Sequence, residues 1–276
     1  MHEIIAKTQL APHITCFTVS AQRIAVMRRP GQFVIVRNGE GAERIPLAIT
    51  DADPVAGTIT LLLQTMGKLT RDLAKLKPGD SISSIIGPLG HPVELISSGY
   101  ALTVSGGMGT AVIHPIAQGL SARGVQVISI IGGRTKDRIV YEDQLRRCGK
   151  VIVCTDDGSY GQQGNVTDVL SEVINHYDIG AVYAVGPVQM MQKVAEITRP
   201  KQIKTIISLN QIMIDGTGVC GGCRVSVDGK MKLACIEGPE FDGHLVDFDE
   251  LSHRLSSYHT FESDTAAADH ICIINR

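Results

Sequence analysis

The stretch Tyr100-Ala-Leu-Thr-Val-Ser-Gly-Gly-Met-Gly-Thr110, continued by Ala111–Arg123 and Val125–Ile131, decides the fold class. Ala101–Val104 is an apolar run of strand length, the glycines interrupt it, Ala111–Arg123 carries helical spacing, and Val125–Ile131 is a second apolar strand. This is a βαβ unit. The same rhythm continues through Val151–Cys154, a helix around Asn165–Val173, Ala181–Val185, a helix around Val188–Thr198, and Lys204–Ser208. Residues 96–208 are therefore expected to form a doubly wound parallel sheet that binds a nucleotide.

Upstream, residues 1–95 change register. Short β-rich runs (His13–Val19, Gln32–Val36, Thr58–Leu63, Ser81–Ile86) alternate with turns such as Arg29-Pro30-Gly31 and Lys77-Pro78-Gly79-Asp80, which predicts a small antiparallel barrel. Thr70–Leu76, directly after Gly67, has helical spacing with charges on its other face. The linker to the sheet is expected at Gly87-Pro-Leu-Gly-His-Pro92, where prolines and glycines stop regular structure. Downstream, residues 209–252 form a small segment with a hairpin around Val225–Lys230. The tail, residues 253–276, shows no clear periodicity. The class is β plus α/β: an antiparallel barrel, then the parallel-sheet domain, then a small C-terminal segment.

That segment contains Asp215-Gly-Thr-Gly-Val-Cys220-Gly-Gly-Cys223, followed by Cys235. Thiolates bind iron or zinc once deprotonated and brought together, and glycines let backbone N–H groups approach inorganic sulfide. The spacing is that of plant-type [2Fe–2S] loops with Asp215 in the place of the first cysteine, and a carboxylate is a donor that ferric iron accepts. Asp215, Cys220, Cys223 and Cys235 thus read as iron–sulfur ligands first. A zinc knuckle comes second and an incidental Cys-x-x-Cys turn third.

Gly106-Gly107-Met108-Gly109-Thr110 lies between strand and helix, where bare backbone and a helix N-terminus accept a pyrophosphate. The alternative is a tight turn made for packing alone. Thr155-Asp156-Asp157-Gly158 follows another strand of the sheet and should emerge on the same edge. Acidic groups there accept ribose hydroxyls and repel a 2′-phosphate, favouring NAD over NADP, although a plain Asp/Gly turn reads the same way. Gly186-Pro187, after a further strand, carries the same two readings. In the barrel, Arg44 precedes the stiff run Ile45-Pro-Leu-Ala-Ile49, and Gly67-Lys-Leu-Thr-Arg71 opens the short helix. Paired with a nucleotide domain, these suggest a second anionic cofactor, where singly they would be solvated charges. His114 reads as structural, and no Ser-His-Asp set or carboxylate pair stands out.

The bulk numbers exclude some partners. Across 276 residues, 26 Lys and Arg against 28 Asp and Glu leave a net charge of −2, which gives no electrostatic ground for nucleic acid or an anionic membrane. No apolar run is long enough to span a bilayer, and the N-terminal residues do not read as a signal. Seven cysteines, three of them clustered, suit a reducing cytoplasm.

Together, Arg44-Ile-Pro-Leu-Ala-Ile49, Gly67-x-x-Thr70, Gly87-Pro-Leu-Gly90, Gly106-Gly-Met-Gly-Thr-Ala111, Gly186-Pro187 and the cysteine loop occur in the same order as in ferredoxin–NADP reductase-like flavoproteins with a C-terminal [2Fe–2S] domain. The chain resembles that family over residues 1–252. Two branches compete: the electron-transfer subunit of dihydroorotate dehydrogenase, and the small subunit of NADH-dependent reduced ferredoxin:NADP+ oxidoreductase, an electron-bifurcating transhydrogenase. The first carries four cysteines. The second is similar to this chain in having Asp plus three Cys, and in Glu237-Gly-Pro-Glu-Phe-Asp-Gly-His244 with Val246-Asp-Phe-Asp-Glu-Leu251, so the resemblance favours it.

The resemblance implies FAD in the barrel, with Arg44 and Gly67–Thr70 on its pyrophosphate, Pro46, Leu47, Ala48 and Ile49 beside the flavin, and Leu63, Gln64 and Leu69 nearby. Ala48 stands where a hydroxyl residue is common. It implies NAD(H) on the sheet, with Gly107, Gly109 and Thr110 toward the nicotinamide half, Asp156 and Asp157 toward the adenosine half, and Gly106, Arg134, Gly186 and Pro187 also in contact. It implies a cytoplasmic, NAD(H)-dependent oxidoreductase subunit in which FAD and the cluster carry the chemistry and no catalytic side chain is needed. The partner implied is a larger flavin and iron–sulfur subunit linked to NADPH and ferredoxin. The reading from another class is a zinc-bearing nucleotide-sensing module without turnover. The tail's ending, Ile-Cys272-Ile-Ile, departs from the family.

Overall fold

In the computed structural model, which describes residues 1–257, the β-rich N-terminal runs pair as expected. Strands β1 (His2–Ala11), β2 (Ile14–Ser20), β3 (Phe33–Arg37), β4 (Ile45–Asp53), β5 (Thr58–Gln64), β6 (Ser81–Ile82) and β7 (Ser84–Leu89) form one antiparallel sheet in the order β6-β1-β2-β5-β4-β3-β7. The sheet rolls into a nearly closed barrel. Alternate residues such as Phe17, Val19, Ile59, Leu61 and Leu63 fill its interior, the period-2 arrangement a one-sided sheet requires. Helix α1 (Gln22–Met27) was not legible in the sequence, whereas α2 (Lys68–Lys75) begins at Gly67 as its spacing predicts.

The expected linker starts later than the sequence suggests. Gly87 and Pro88 belong to β7, an edge strand paired only with β3, and a register shift between Phe33 and Ile35 accommodates them. Proline is tolerated at such an edge because no ladder partner needs its missing N–H. The connection itself is pinned: Ile96 N donates to Tyr183 Oη at 3.1 Å, and Tyr183 Oη donates to Glu94 O at 3.0 Å.

The second sheet contains β8 (Tyr100–Gly106), β9 (Gln126–Gly133), β10 (Gly149–Thr155), β11 (Gln162–Gln163), β12 (Ile179–Val185), β13 (Lys204–Ser208) and, far downstream, the antiparallel β16 (Glu240–Asp242). Its order is β11-β10-β9-β8-β12-β13-β16. Helices α3 (Gly109–Ser121), α4 (Glu142–Arg146), α5 (Val166–His176) and α6 (Val188–Thr198) connect the parallel strands. Two apolar cores, one on each face, explain why β8 and β12 read as continuous apolar runs. The strand order reverses between β8 and β12, so a crevice opens beyond their carboxyl ends.

The C-terminal segment holds the hairpin β14 (Arg224–Val227) and β15 (Lys230–Leu233), then α7 (Ala234–Glu237) and, after β16, α8 (Phe248–Ser256). Met213, Cys223, Ala234 and Cys235 pack against Phe33 and Ile35 of the barrel. A further cluster joins barrel and sheet through Ile14, Leu62, Ala111, Val140 and Tyr141. The remainder of the tail, including Cys272, lies outside the described residues.

Candidate functional site

The crevice at the strand reversal continues into the barrel as a cavity of about 730 Å³, in the size range of cofactor sites. One wall is Pro46, Leu47, Ala48 and Ile49 of β4; Leu63, Gln64 and Thr70 adjoin them. The opposite wall is Gly106, Gly109, Gly186 and Pro187, from the ends of β8 and β12. Phe33 and Met213 close one side.

A second cavity of about 510 Å³ holds Gly107, Arg134 and Asp156. It shares Gln64, Gly106, Met108 and Pro187 with the first, so the two meet at the glycine loop. Asp156 N donates to Gly133 O at 3.1 Å and Asp157 N to Arg134 O at 3.3 Å, which brings the two loops together. Arg138 also lines this cavity and was missed in the sequence, where it carries no motif.

Some expected residues stand elsewhere. Arg44 is exposed just ahead of β4, Leu69 is buried in the barrel core, and neither lines either of these two cavities. Gly67 caps α2, and its N–H and that of Met66 each donate to Thr70 Oγ1 at 2.9 Å. Thr110 is buried and accepts from Ser105 Oγ at 3.3 Å, so it braces the loop from behind. Asp157 turns into its own bend: its Oδ1 accepts from Ser159 N at 2.9 Å, and bonding from the Ser159 hydroxyl and N–H holds its carboxyl below the usual range. Of the two aspartates, only Asp156 faces the ligand space.

Glycine is demanded sterically at one position above all. A Cβ on Gly109 would sit 2.3 Å from Val185 O, so α3 starts against the end of β12 only without a side chain. Residues 208–211, also on the larger cavity, could have been anticipated because they follow the last parallel strand at its carboxyl end.

The cysteine loop lies just behind Met213. Asp215 Oδ1 accepts from Thr217 N at 2.8 Å and Oδ2 from Cys220 N at 2.7 Å, and these bonds, Thr217's first, lower its carboxyl. Cys220 Sγ accepts from Gly222 N, and Cys223 Sγ from Cys235 N, both at 3.4 Å. Burial, then contact with Cys223, pushes the Cys235 thiol up to about 12, so iron must displace its proton on binding. Among the described residues no three His, Cys, Asp or Glu side chains are gathered around a single-ion site. The sulfurs of Cys220 and Cys223 and the Asp215 carboxylate on a glycine-rich loop, joined by Cys235 from α7 and with N–H groups aimed at sulfur, still suit a two-iron cluster, whose ligands bind two different metals. Exposed Ile214, Val219 and Ile236 surround this loop.

Comparison with known proteins agrees with this layout. The profile of the iron–sulfur cluster binding domain of dihydroorotate dehydrogenase B matches residues 210–247. A dihydroorotate dehydrogenase B (NAD(+)) electron transfer subunit homolog from Thermotoga maritima is 40% identical over 258 residues, 94% of this chain and 92% of that protein. The corresponding electron transfer subunit of Geobacillus thermodenitrificans is 34% identical over 86% of this chain and 94% of its own. Among solved structures, a chain of the NADH-dependent reduced ferredoxin-NADP oxidoreductase, studied for flavin-based electron bifurcation, superposes with a TM-score of 0.91 at 38% identity, covering 96% of both chains.

Proposed function

The chain belongs to the family of dihydroorotate dehydrogenase B electron-transfer subunits and their homologues, and from that premise we propose that it is an NAD(H)-linked electron-transfer subunit with FAD in the larger cavity and a [2Fe–2S] cluster on the cysteine loop. The observation that carries this reading is one shared wall. Phe33 and Met213 line the larger cavity and also pack with Cys223 and Cys235. One layer of side chains thus separates the flavin space from two cluster ligands.

When bound, the flavin supplies hydride exchange with nicotinamide and single-electron exchange with the cluster. Pro46–Ile49 give it a flat apolar wall, and Gly106 and Gly109 leave room for a nicotinamide at the junction of the two cavities. Asp156 accepts from ribose hydroxyls, which favours NAD(H). Arg44, exposed next to Ile45 of the cavity wall, would be the cation available to the pyrophosphate of a bound cofactor. The apolar rim of Ile214, Val219 and Ile236 marks the face that docks a larger subunit. We assign that subunit to the NADPH- and ferredoxin-linked kind, because Asp215 replaces the first cysteine and the oxidoreductase chain matches over 96% of this one. The match to dihydroorotate dehydrogenase B sequences favours a second reading, delivery of electrons from dihydroorotate to NAD+.

The test is the visible spectrum of the anaerobically purified chain, alone and with its copurifying partner. Flavin bands with an iron–sulfur shoulder, bleached faster by NADH than by NADPH in the isolated chain, are expected. In the complex, NADPH and not dihydroorotate should then bleach the additional flavin. Bleaching by dihydroorotate instead would transfer the chain to the second reading. A colourless zinc protein after reconstitution would eliminate both.

A further inference from the structure

One polar group on the larger cavity has no use in the protein itself. Gln211 is 4% exposed and lines that cavity, yet its side-chain Nε2 has no hydrogen-bond partner among the described residues. Leaving a buried amide N–H unpaired costs about 1–3 kcal/mol, and buried polar groups are otherwise nearly always bonded. The backbone on either side is held in place: Leu209 N donates to Pro239 O at 2.9 Å, and Leu209 and Met213 are both buried. The backbone around Gln211 is therefore held at the cavity, and its Nε2, closed off from solvent in this arrangement, makes no bond that would keep the amide from turning to a ligand.

Resting on the flavoprotein reading above, we propose that Gln211 donates through Nε2 to a ring acceptor of the bound flavin. The rest of the cavity wall explains the choice of ligand. Phe33, Pro46, Leu47, Ile49 and Leu209 present apolar surface to a flat ring, and Gln211 lines only this cavity, away from Arg134 and Asp156. An isoalloxazine offers ring nitrogens and carbonyl oxygens as acceptors, whereas its methyl-bearing edge offers none. The amide thereby fixes which part of the ring lies against residues 209–213. Because those residues lead directly into the cysteine loop, the same bond couples flavin orientation to the cluster segment.

The experiment compares the full-length wild type with Gln211→Met, which keeps length without the N–H, and Gln211→Ala, which removes the amide altogether. FAD affinity, the absorption bands of bound flavin and its midpoint potential are measured for each. Gln211→Met is expected to weaken FAD binding roughly 2–10-fold, the loss of one neutral hydrogen bond, and to displace both the bands and the potential. Wild-type values throughout would overturn the proposal. So would weaker binding with unchanged bands and potential, since that pattern belongs to a residue that only supports the wall. Should the Met variant fail to fold, Gln211→Ala reads the same contact, and unaltered bands and potential there would count equally against it. A wild type that takes up no FAD would instead refute the underlying flavoprotein reading.

Discussion

His114 Nδ1 lies 3.0 Å from the backbone oxygen of Thr50, and since a carbonyl can only accept, the imidazole donates. This contact joins α3, which starts at the glycine loop, to β4, which carries Pro46–Ile49. Around it the Thr50 Oγ1 and Tyr141 Oη atoms lie 3.1 Å apart, and the His114 and Tyr141 rings meet edge to face at 5.4 Å. The two walls of the larger cavity are thus tied together by a buried polar group, not only by apolar packing.

Replacing His114 by Leu should strip the Thr50 carbonyl of its donor and destabilise the chain by about 1–3 kcal/mol, read as a lower unfolding temperature at pH 7.5. Burial, the largest effect, holds the His114 pKa below its ordinary 6.5. The unfolded chain therefore takes up a proton first as pH falls through that value, and the histidine's contribution to stability is lost on acidification. The gap between wild type and variant should narrow at pH 5. A constant gap would mean that His114 titrates alike in both states.

The glycines of the nucleotide loop should not be equivalent. Gly109→Ala places a Cβ on Val185 O, a backbone atom that cannot swing aside, and should cost about 1–3 kcal/mol and NADH affinity with it. Gly107 has φ +56 with nothing within 4 Å of an added Cβ, so Gly107→Ala should cost the fold only the left-handed strain of about 1–2 kcal/mol, while its Cβ would stand in the cavity assigned to NAD(H). Thermal unfolding and NADH titration of both variants check the contrast, and a Gly107→Ala chain destabilised more than Gly109→Ala would contradict it.

Much of this was legible in the sequence where the cause is local. The apolar run and glycines of residues 100–131 specify strand, turn and helix within one short segment, and the Asp215–Cys223 spacing is likewise contiguous. Helix α1 was missed because it is short and Ala21 provides no side-chain cap. Strand β16 was missed because it is formed by pairing with Ile206–Ser208 of β13, remote in sequence. Pro88 read as a break because its harmlessness depends on lying at a sheet edge. In the site, Pro46–Ile49 and the glycine loops were visible as motifs. The place of Gln211 follows from the end of β13, but its lack of a partner was not legible, because that is a property of the packed interior.

The ligand role of Asp215 can be separated from its structural one. Its two oxygens already bind Thr217 N and Cys220 N, so Asp215→Ala should loosen the loop and lower iron content. Asp215→Cys should retain the cluster and FAD while shifting the cluster potential, because ligand charge and softness set it. An unchanged potential in a redox titration of Asp215→Cys would argue against carboxylate ligation.

Glu240 predicts a pH dependence of opposite sign to that of His114. It is half-buried beside Gly31 and Ser208, with Oε2 closed off from solvent; Oε1 accepts from Ser208 Oγ at 3.1 Å and Oε2 has no partner among the described residues. Burial pushes its carboxyl up to about 8 from an ordinary 4.5, and the Ser208 bond only partly opposes this. Between those values the folded chain keeps a proton that the unfolded chain releases, so stability falls as pH rises through the window and the loss is complete above the folded value. Gln at this position stays neutral throughout. Glu240→Gln should match the wild type near pH 4.5 and exceed it at pH 8.5 by on the order of a few kcal/mol. Parallel unfolding curves for the two proteins across that range would mean that the carboxyl finds a partner or solvent, and would remove the buried neutral acid from this corner of the cavity.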